Sequence, residues 1–382
     1  MGEADSWGTT NPVRVIFGPG SLDRLRSVTV GRSLLVTTRG MTRRGVTQRV
    51  QQLLGADRTL VYDRVDANPA VEAVKAAITA LRDKLPVESV VGLGGGSVID
   101  SAKVLSLALA EPTFDLEAWL SDGQRYDSTE PLPLVAVPTT AGTGSEVTPF
   151  ATLWDTVARR KLSVTTPKLH PSVALVDPQL ALSLPWEATL GPGLDAYTQC
   201  FEAIWNRNST PETTALARRG LALVPAAMRT LHSELDSIRA RTEMAEAALL
   251  SGLAISQTRT ALAHSMSYPI TAHLGLPHGL ACALVLPAVL AFTLEADDVR
   301  LDEVTGGRQV DLVRQVRELF VELGLPSAVK RHIPSPGRLQ SLAPEMLTPG
   351  RADNNLRAAS VEDVRAMLAA TEAWVWDGGG GR

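Results

Sequence analysis

Apolar residues in the first half of the chain alternate between short β-branched runs and longer stretches at helical spacing. The short runs predict strands at residues 33–38, 58–62, 89–93 and 133–137. The longer stretches predict intervening helices at residues 41–54, 68–81 and 98–110. Strands that alternate with helices predict a doubly wound α/β domain, in which helices cover both faces of a parallel sheet.

The pattern changes near residue 185, where strand-like runs end and Leu and Ala continue at helical spacing as far as Trp376. The Gly191-Pro-Gly193 turn predicts where the first helix of this second half begins. We therefore predict an α/β dinucleotide-binding domain at residues 1–182 and an all-helical domain at residues 183–382.

The composition excludes several classes of protein. With 45% hydrophobic and 20% charged residues, the chain can bury a large core and is not a disordered protein. The 37 basic and 41 acidic side chains give a net charge of −4, which argues against a nucleic-acid partner. Cys200 and Cys282 form no CxxC pair, which excludes a disulfide framework and a structural zinc knuckle. The N-terminus lacks a secretory signal and no apolar run is long enough for a membrane helix, so we predict a cytoplasmic protein without a membrane partner.

Four glycines and a serine surround the end of the predicted strand at residues 89–93. In Gly92-Leu-Gly-Gly-Gly-Ser97, the glycines let the backbone approach a pyrophosphate, and the following helix offers free amides and a positive dipole. A tight strand-to-helix turn would need only one or two glycines. The loop therefore favours a phosphate-binding role, although it matches neither the Rossmann GxGxxG pattern nor the Walker pattern.

A second polar loop, Pro138-Thr-Thr-Ala-Gly-Thr-Gly-Ser-Glu146, follows the next predicted strand. Two such loops at the carboxyl ends of neighbouring strands are typical of a dinucleotide site. Thr38 ends the first predicted strand, where dinucleotide folds usually place an acidic residue on the adenosine ribose. Here Arg39, Arg43 and Arg44 follow it, which fits the 2′-phosphate of NADPH and, equally well, a solvated helix face.

Candidate metal ligands lie in the second half of the chain. Asp195 and Gln199 are four residues apart and share one face of a helix. His264 and His278 stand at the two ends of a segment that contains a Gly-Leu-Pro turn. One carboxylate and two imidazoles, with further positions open, fit a catalytic iron or zinc ion.

Five longer motifs extend over nearly the whole chain. They are FGPGSL at 17–22, GGGSVIDSAK at 94–103, PTTAGTGSEVT at 138–148, GPGLDAYTQCFEA at 191–203 and AHSMSYPI…LPHG at 263–279. Together they resemble the motifs of the iron-dependent (group III) alcohol dehydrogenases. The resemblance implies a dehydroquinate synthase-like fold with an α/β dinucleotide domain and an all-helical metal-binding domain. It also implies an NAD(P)-dependent alcohol dehydrogenase or aldehyde reductase that forms a homodimer.

The same resemblance implies individual site residues. Asp195, His264 and His278 match the family's metal ligands, and Gln199 replaces the histidine that is usually the fourth; Fe²⁺ is the implied metal and Zn²⁺ the alternative. Tyr268 stands where a further histidine often lies near the nicotinamide, so its phenol is the candidate proton donor. The implied contacts to the cofactor, NADPH with NADH as the alternative, are Thr38, Arg39, Asn68, Gly94, Gly95, Gly96, Ser97, Asp100, Thr139, Thr140, Thr143, Lys161 and Leu180.

Three departures from the common family pattern resemble its phosphonoacetaldehyde reductase branch. They are Gln199 within DAxxQxxE, residues 205–210, and a helix at residues 255–264 that carries Arg259. This resemblance implies reduction of phosphonoacetaldehyde to 2-hydroxyethylphosphonate in phosphonate antibiotic biosynthesis. The alternatives are a reductase of other short aldehydes, a dehydroquinate synthase-like lyase, and a protein that binds a nucleotide without catalysis.

Arg259 is the predicted contact to the phosphonate. It precedes His264 by five residues, which is roughly 7–8 Å along a continuous helix. A two-carbon aldehyde at the metal would extend its phosphonate by a comparable distance, and a guanidinium binds such a dianion through two hydrogen bonds. The alternative is an ion pair between Arg259 and a carboxylate of the helical domain. Phe150 and Asn208 complete the predicted substrate site, although residues 208–210 fit a helix cap at least as well.

Overall fold

The computed structural model describes residues 8, 10–122, 125–296, 298, 300–302 and 309–377. These residues form two compact units. The α/β unit comprises Val13–Thr189 and Ser233–Ala245. The helical unit comprises the described residues of Met1–Pro12, Leu190–His232 and Glu246–Arg382. The domain boundary after residue 182 is based on the sequence pattern and stays a prediction.

Six parallel strands form the sheet of the α/β unit. They are β1 (Arg14–Phe17), β2 (Ser33–Val36), β3 (Thr59–Tyr62), β4 (Ser89–Gly94), β5 (Leu134–Pro138) and β8 (Val173–Val176), in the spatial order β1-β8-β5-β4-β2-β3. A separate antiparallel hairpin consists of β6 (Phe150–Asp155) and β7 (Arg160–Thr165). The four strands predicted from the sequence correspond to β2, β3, β4 and β5. The sequence pattern did not predict β1, β8 or the hairpin.

The helices of the α/β unit are α1 (Leu25–Val28), α2 (Arg39–Arg43), α3 (Val46–Leu54), α4 (Val71–Arg82), α5 (Gly96–Ala110) and α6 (Leu116–Ser121). The single helix predicted at residues 41–54 is divided at Gly45 into α2 and α3. The helix predicted from Asn68 begins three residues later, because Asn68 adopts a left-handed φ of 54° that a helix does not allow.

Apolar side chains of the central strands alternate between two buried cores. Leu34 and Val36 of β2 pack on one face of the sheet with residues of α4 and α5. Leu35 lies between them in sequence and packs on the other face with residues of α1 and α3. Burying each such side chain contributes about 1.5–3 kcal/mol. Helices therefore cover both faces of a parallel sheet, which confirms the predicted fold class.

The later helices form most of the helical unit, although residues 186–189, 233 and 238–245 of these helices belong to the α/β unit. The later helices are α7 (Trp186–Ile204), α8 (Pro211–Ser233), α9 (Ile238–Thr258), α10 (Leu262–Leu274), α11 (His278–Leu294), α12 (Gln309–Glu322), α13 (Leu325–His332) and α14 (Val361–Val375). Among the described residues of this second half no strand occurs, and a single isolated bridge joins Asn206 to Asn355. None of the helices in the described part of the chain has the length and hydrophobicity that a membrane crossing needs.

Two predicted helix boundaries in this half were wrong. Helix α7 does not begin after Gly193; it begins at Trp186 and continues through Pro192. The continuous helix predicted at residues 255–264 is interrupted, because α9 ends at Thr258 and Arg259 has a left-handed φ of 63°. The helical-rise estimate of the distance from Arg259 to His264 was therefore wrong, since it assumed an unbroken helix.

Candidate functional site

Three loops follow adjacent parallel strands of the α/β unit. Strand β4 pairs with β2 on one side and with β5 on the other, so the loops after these strands share the carboxyl edge of the sheet. They contain Thr38 after β2, the glycine run after β4 and the hydroxyl-rich loop after β5. Doubly wound sheets bind nucleotides at this edge. The fold thus brings the three predicted cofactor segments together.

The glycine run leads directly into helix α5. Gly95 is the N-cap residue, and no side chain accepts a hydrogen bond from the first turn. A Cβ added to Gly96 would lie 2.6 Å from Thr143 Oγ1, and one added to Gly95 would lie 3.1 Å from Thr140 Oγ1. The glycines therefore also let the two polar loops pack closely. The amides that begin this long helix, without a side-chain cap, fit the pyrophosphate of a dinucleotide.

Backbone hydrogen bonds connect further predicted cofactor residues to the glycine run. Thr139 N donates to the Gly94 carbonyl oxygen over 3.0 Å. Asn68 N donates to Ser97 Oγ over 3.1 Å. Asn68, which follows β3, therefore lies beside the N-terminus of α5.

Thr38 serves first as a helix cap, because its hydroxyl accepts a hydrogen bond from Met41 N at the start of α2. Arg39 and Arg43 are exposed and form no ion pair or hydrogen bond with any described residue. Arg44 contacts Met41 Sδ at 3.2 Å. Both interpretations of these arginines, a phosphate contact and a solvated surface, agree with this arrangement.

Asp100, predicted to contact the cofactor, is used within the protein. Its carboxylate accepts hydrogen bonds from Ser145 Oγ at 2.5 Å and Thr152 N at 2.9 Å, which join α5 to the loop after β5 and to β6. Burial raises the pKa of Asp100 above its ordinary value. The fully buried Lys103 donates to Ser145, Thr148 and Phe150, and burial lowers its pKa to about 8.

The remaining predicted contacts of the α/β unit are dispersed. Leu180 is 9% exposed and packs in the core between the sheet and α3, so its side chain has a structural position. Lys161 lies on β7, partly exposed, and its positive charge acts on Asp100. Phe150, a predicted substrate residue, begins β6, where its carbonyl oxygen accepts a hydrogen bond from Lys103 Nζ at 2.7 Å.

Three helices of the helical unit bring metal-ligating side chains together. Asp195 lies on α7, His264 on α10, and His278 and Cys282 on α11. One potential ligand atom of each residue lies within 4.8 Å of those of the other three. His278 is partly exposed, whereas the other three are buried. Carboxylate, imidazole and thiolate are donors that a divalent transition metal accepts, so these residues fit a metal site.

Glu202 orients the imidazole of His264. His264 Nδ1 donates to Glu202 Oε2 over 2.6 Å, so Nε2 faces Asp195 Oδ1 at 3.1 Å. Glu202 is fully buried and also accepts hydrogen bonds from the backbone amides of Ala261 and His264. Burial by itself lowers the pKa of His264. Interactions with Cys282, Glu202 and Asp195 outweigh that effect and raise the pKa of His264 well above its ordinary value. The site therefore stabilises positive charge.

A close contact between two helices positions the cluster. A Cβ added to Gly279 would lie 2.0 Å from the Gly191 carbonyl oxygen and 3.1 Å from Asp195 Cβ. Only a residue without a side chain allows the start of α11 to approach α7 so closely. The adjacent His278 is thereby placed near Asp195.

Two other predicted residues lie at this centre or beside it. Gln199 is buried on α7, and its Oε1 accepts a hydrogen bond from Ser251 Oγ of α9 at 2.9 Å. The ring of Tyr268 stacks on that of His278, with centroids 5.9 Å apart and an angle of 30° between the planes. Tyr268 is partly exposed.

Arg259 and Asn208 lie on turns of the helical unit. Asn206 is fully buried; its amide donates to the Arg259 carbonyl oxygen, and its Oδ1 accepts from Asn208 N. Asn208 is exposed, and Thr210 caps α8 by accepting from Thr213 N at 3.2 Å. The capping alternative for this segment is thus present in the structure.

Sequence reasoning did not assign Glu202, Cys282 or Asn206 to the site. Glu202 follows Asp195 by seven residues, two helical turns, and Cys282 follows His278 by four. Helical spacing was therefore a usable signal for both. Asn206 lies between helices, and its contact with Arg259 has no such signal.

Comparisons with known proteins agree over most of the chain. The profile of the iron-containing alcohol dehydrogenases matches residues 12–178, and that of the C-terminal region of the same family matches residues 189–372. Phosphonoacetaldehyde reductase of Streptomyces viridochromogenes is 34% identical over 329 residues, which are 81% of each chain. The 4-hydroxybutyrate dehydrogenase of Cupriavidus necator is 31% identical and covers 93% of this chain and 97% of its own.

A solved structure extends the similarity to the fold. Sulfoacetaldehyde reductase from Bifidobacterium kashiwanohense, in complex with NAD⁺, superposes with a TM-score of 0.87. It is 27% identical in sequence and covers 96% of this chain and 99% of its own. The family profiles, the relatives and the shared fold lead to one conclusion. The chain belongs to the iron-containing alcohol dehydrogenase family and is an oxidoreductase.

Proposed function

We propose that the protein reduces phosphonoacetaldehyde to 2-hydroxyethylphosphonate with NADPH. The names of two relatives support a substrate of this kind, because phosphonoacetaldehyde and sulfoacetaldehyde are both two-carbon aldehydes with an anionic head group. A neutral aldehyde would need no cationic group to bind its far end. The homodimer and the cytoplasmic location stay predictions.

The observation that carries the proposal is the guanidinium of Arg259, which lies near the positive charge of Arg351 and forms no ion pair with a carboxylate of the described residues. Burial lowers the pKa of Arg259, and the positive charge of Arg351 lowers it further. The Arg259 guanidinium nevertheless stays protonated, as arginines in proteins do. No carboxylate of the described residues forms an ion pair with Arg259, so the predicted alternative of an internal ion pair is not what the structure contains. The charge of Arg351 adds to that of Arg259, so both would attract a phosphonate dianion that Arg259 binds.

The backbone holds Arg259 in a fixed position. Its φ of 63° is unusual for a residue with a side chain. Its carbonyl oxygen accepts hydrogen bonds from Thr258 Oγ1 at 2.8 Å and Asn206 Nδ2 at 3.3 Å. Two side-chain donors thus support a backbone conformation that costs about 1–2 kcal/mol by itself. Strain that is supported in this way is typical of functional positions.

Arg351 is tied to the same helix as His264. Ser265 Oγ donates to the Met346 carbonyl oxygen at 2.6 Å and accepts from Thr348 N at 2.8 Å. Arg351 Nη1 in turn donates to the Gly350 carbonyl oxygen at 2.9 Å. Ser265, the residue after His264, therefore anchors the segment that carries Arg351.

The chain's residues have distinct roles in the proposed reaction. When bound, a divalent metal would polarise the aldehyde oxygen and a nicotinamide would supply the hydride. Asp195, His264 and His278 hold the metal, and Glu202 fixes the ring of His264 so that Nε2 faces the centre. Tyr268 Oη donates the proton that the alcohol oxygen of the product gains.

Steady-state kinetics test the substrate. Purified protein is loaded with Fe²⁺ or Zn²⁺ and assayed with NADPH or NADH, using phosphonoacetaldehyde, sulfoacetaldehyde and propanal. We expect Arg259→Ala to lower kcat/KM for phosphonoacetaldehyde about 100-fold, the loss of roughly one charge-assisted contact. The value for propanal should change by less than about threefold.

Arg331→Ala is the matched control, because Arg331 is an exposed arginine at the end of α13. Arg331→Ala should leave kcat/KM unchanged for both phosphonoacetaldehyde and propanal. Equal losses on phosphonoacetaldehyde and propanal in Arg259→Ala would favour the reductase of ordinary short aldehydes. Turnover with a cyclised product and without net NADPH consumption would favour the lyase, and no turnover at all would favour the non-catalytic alternative.

A further inference from the structure

We infer that Cys282 supplies its sulfur as the fourth protein ligand of the metal, in the place that sequence reasoning gave to Gln199. The donor set is then one carboxylate oxygen, two imidazole nitrogens and one thiolate sulfur. The same four ligands would hold the metal whichever aldehyde the protein reduces.

The four ligand atoms lie within 4.8 Å of one another, and two of the pairs are close to the spacing of a metal site. Cys282 Sγ lies 3.8 and 3.9 Å from the two ring nitrogens of His278, and His264 Nε2 lies 3.1 Å from Asp195 Oδ1. In a tetrahedral zinc site, bond lengths of about 2.3 Å to sulfur and 2.0–2.1 Å to nitrogen or oxygen place ligand atoms about 3.4–3.6 Å apart. For these pairs, shifts of a few tenths of an ångström would complete the geometry.

Helix α11 fixes the relative positions of two ligands. His278 is its first residue, and Cys282 follows four residues later on the same face. Cys282 is fully buried, so its sulfur has no access to solvent. The contact of Gly279 with Gly191 brings this face of α11 against Asp195. The sulfur therefore reaches the centre through the same helix contact as His278.

Gln199 is the weaker candidate on structural and chemical grounds. Its Oε1 is directed at the Ser251 hydroxyl, 2.9 Å away on α9. A neutral amide oxygen is also a weaker ligand for iron or zinc than imidazole or thiolate. Ser251 thus gives Gln199 a structural partner that requires no metal.

A thiolate ligand changes the expected metal preference. Sulfur donors select zinc over metals that prefer oxygen. Sites with nitrogen and sulfur ligands also generally bind Zn²⁺ more tightly than Fe²⁺. We therefore expect the protein to hold Zn²⁺ more tightly than Fe²⁺. Asp195, His264, His278 and Cys282 would then hold the ion, which would act as a Lewis acid toward the aldehyde.

Cobalt substitution tests the sulfur ligand directly. The metal-free protein is titrated with Co²⁺ and its near-ultraviolet absorption is recorded, since a thiolate bound to Co²⁺ gives an intense charge-transfer band. Only two cysteines are present, so Cys200→Ser is the matched control; Cys200 lies in an apolar cluster with Ala217 and Ile255. We expect the band in the wild-type protein and in Cys200→Ser, and its loss in Cys282→Ser.

Zinc competition with a chelator supplies a second readout. Cys282→Ser should weaken Zn²⁺ binding at least about 100-fold, and Gln199→Ala less than about 10-fold. Persistence of the band in Cys282→Ser, or its absence from wild-type protein that holds Co²⁺, would overturn the inference.

If Cys282→Ser does not fold, X-ray absorption of the wild-type zinc protein decides the question. A sulfur neighbour at about 2.3 Å supports the inference, and a shell of only nitrogen and oxygen contradicts it. A failure of the protein to reduce phosphonoacetaldehyde would leave all of these measurements unaffected, so the two proposals fail separately.

Discussion

The two candidate sites of this protein are built in different ways. In the α/β unit, backbone groups at the ends of β4 and β5 form the nucleotide loops, and the glycines matter because they lack side chains. In the helical unit, side chains from α7, α10 and α11 converge on one centre. The first site depends on the absence of side-chain volume and the second on the identity of each side chain. The same kind of substitution should therefore have different effects in the two units.

The largest effect should come from Glu202→Gln. The amide keeps the size of the side chain but removes the charge, and it cannot accept all of the hydrogen bonds from His264 and Ala261. Metal affinity should fall about 10- to 100-fold, as for other groups that orient metal-bound histidines. Competition with a chelator measures the metal affinity, and NADPH binding to the same sample serves as the control. Equal losses of metal and nucleotide affinity would indicate general unfolding instead.

A smaller effect is expected from Gly96→Ala in the α/β unit. The new methyl group would lie 2.6 Å from Thr143 Oγ1, so the two loops must separate. We expect the Kd for NADPH to rise about 10-fold, in line with the cost of overpacking, while metal content stays unchanged. A Gly96→Ala variant that binds NADPH normally would contradict the tight packing of the loops.

The smallest effect should come from Glu146→Gln. Burial raises the pKa of Glu146 to about 7 from an ordinary value of 4.5, and the nearby Lys103 partly opposes this. Between pH 5 and 7 the folded protein holds a proton that the unfolded chain has released, so stability falls as pH rises. Glu146→Gln should remove this fall and make the change in Tm between pH 5 and 7 smaller by a few °C. Identical pH dependence in both proteins would show that Glu146 titrates normally.

The fold was predictable where the signals are local. Strands β2, β4 and β5 have continuous apolar runs, and the loops after them were placed together because parallel strands end at one edge. Strand β1 is mostly exposed and has no clear apolar run, whereas β8 is a buried apolar run as long as β2 and could have been predicted in the same way. The hairpin β6–β7 carries mixed polar residues and a partly exposed face, so no alternation marks it clearly.

The metal cluster was predictable only in part. Asp195, His264 and His278 were assigned through the family resemblance, and the structure places them together. Cys282 belongs to no CxxC pair, and its one local signal is its four-residue helical spacing from His278. The break at Arg259 could not be predicted, because arginine has no preference for a left-handed backbone and the partners that support it are distant in the sequence.

The position of Arg259 outside a helix has a consequence for how this protein can change over evolution. Its side chain is exposed on a turn, so its replacement would not require repacking of α9 or α10. Glycine would relieve the left-handed backbone and make the folded state more stable. Under selection for stability alone, an arginine would therefore be replaced here. In the proposed role of Arg259, the protein would thus give up some stability for substrate choice at a single position.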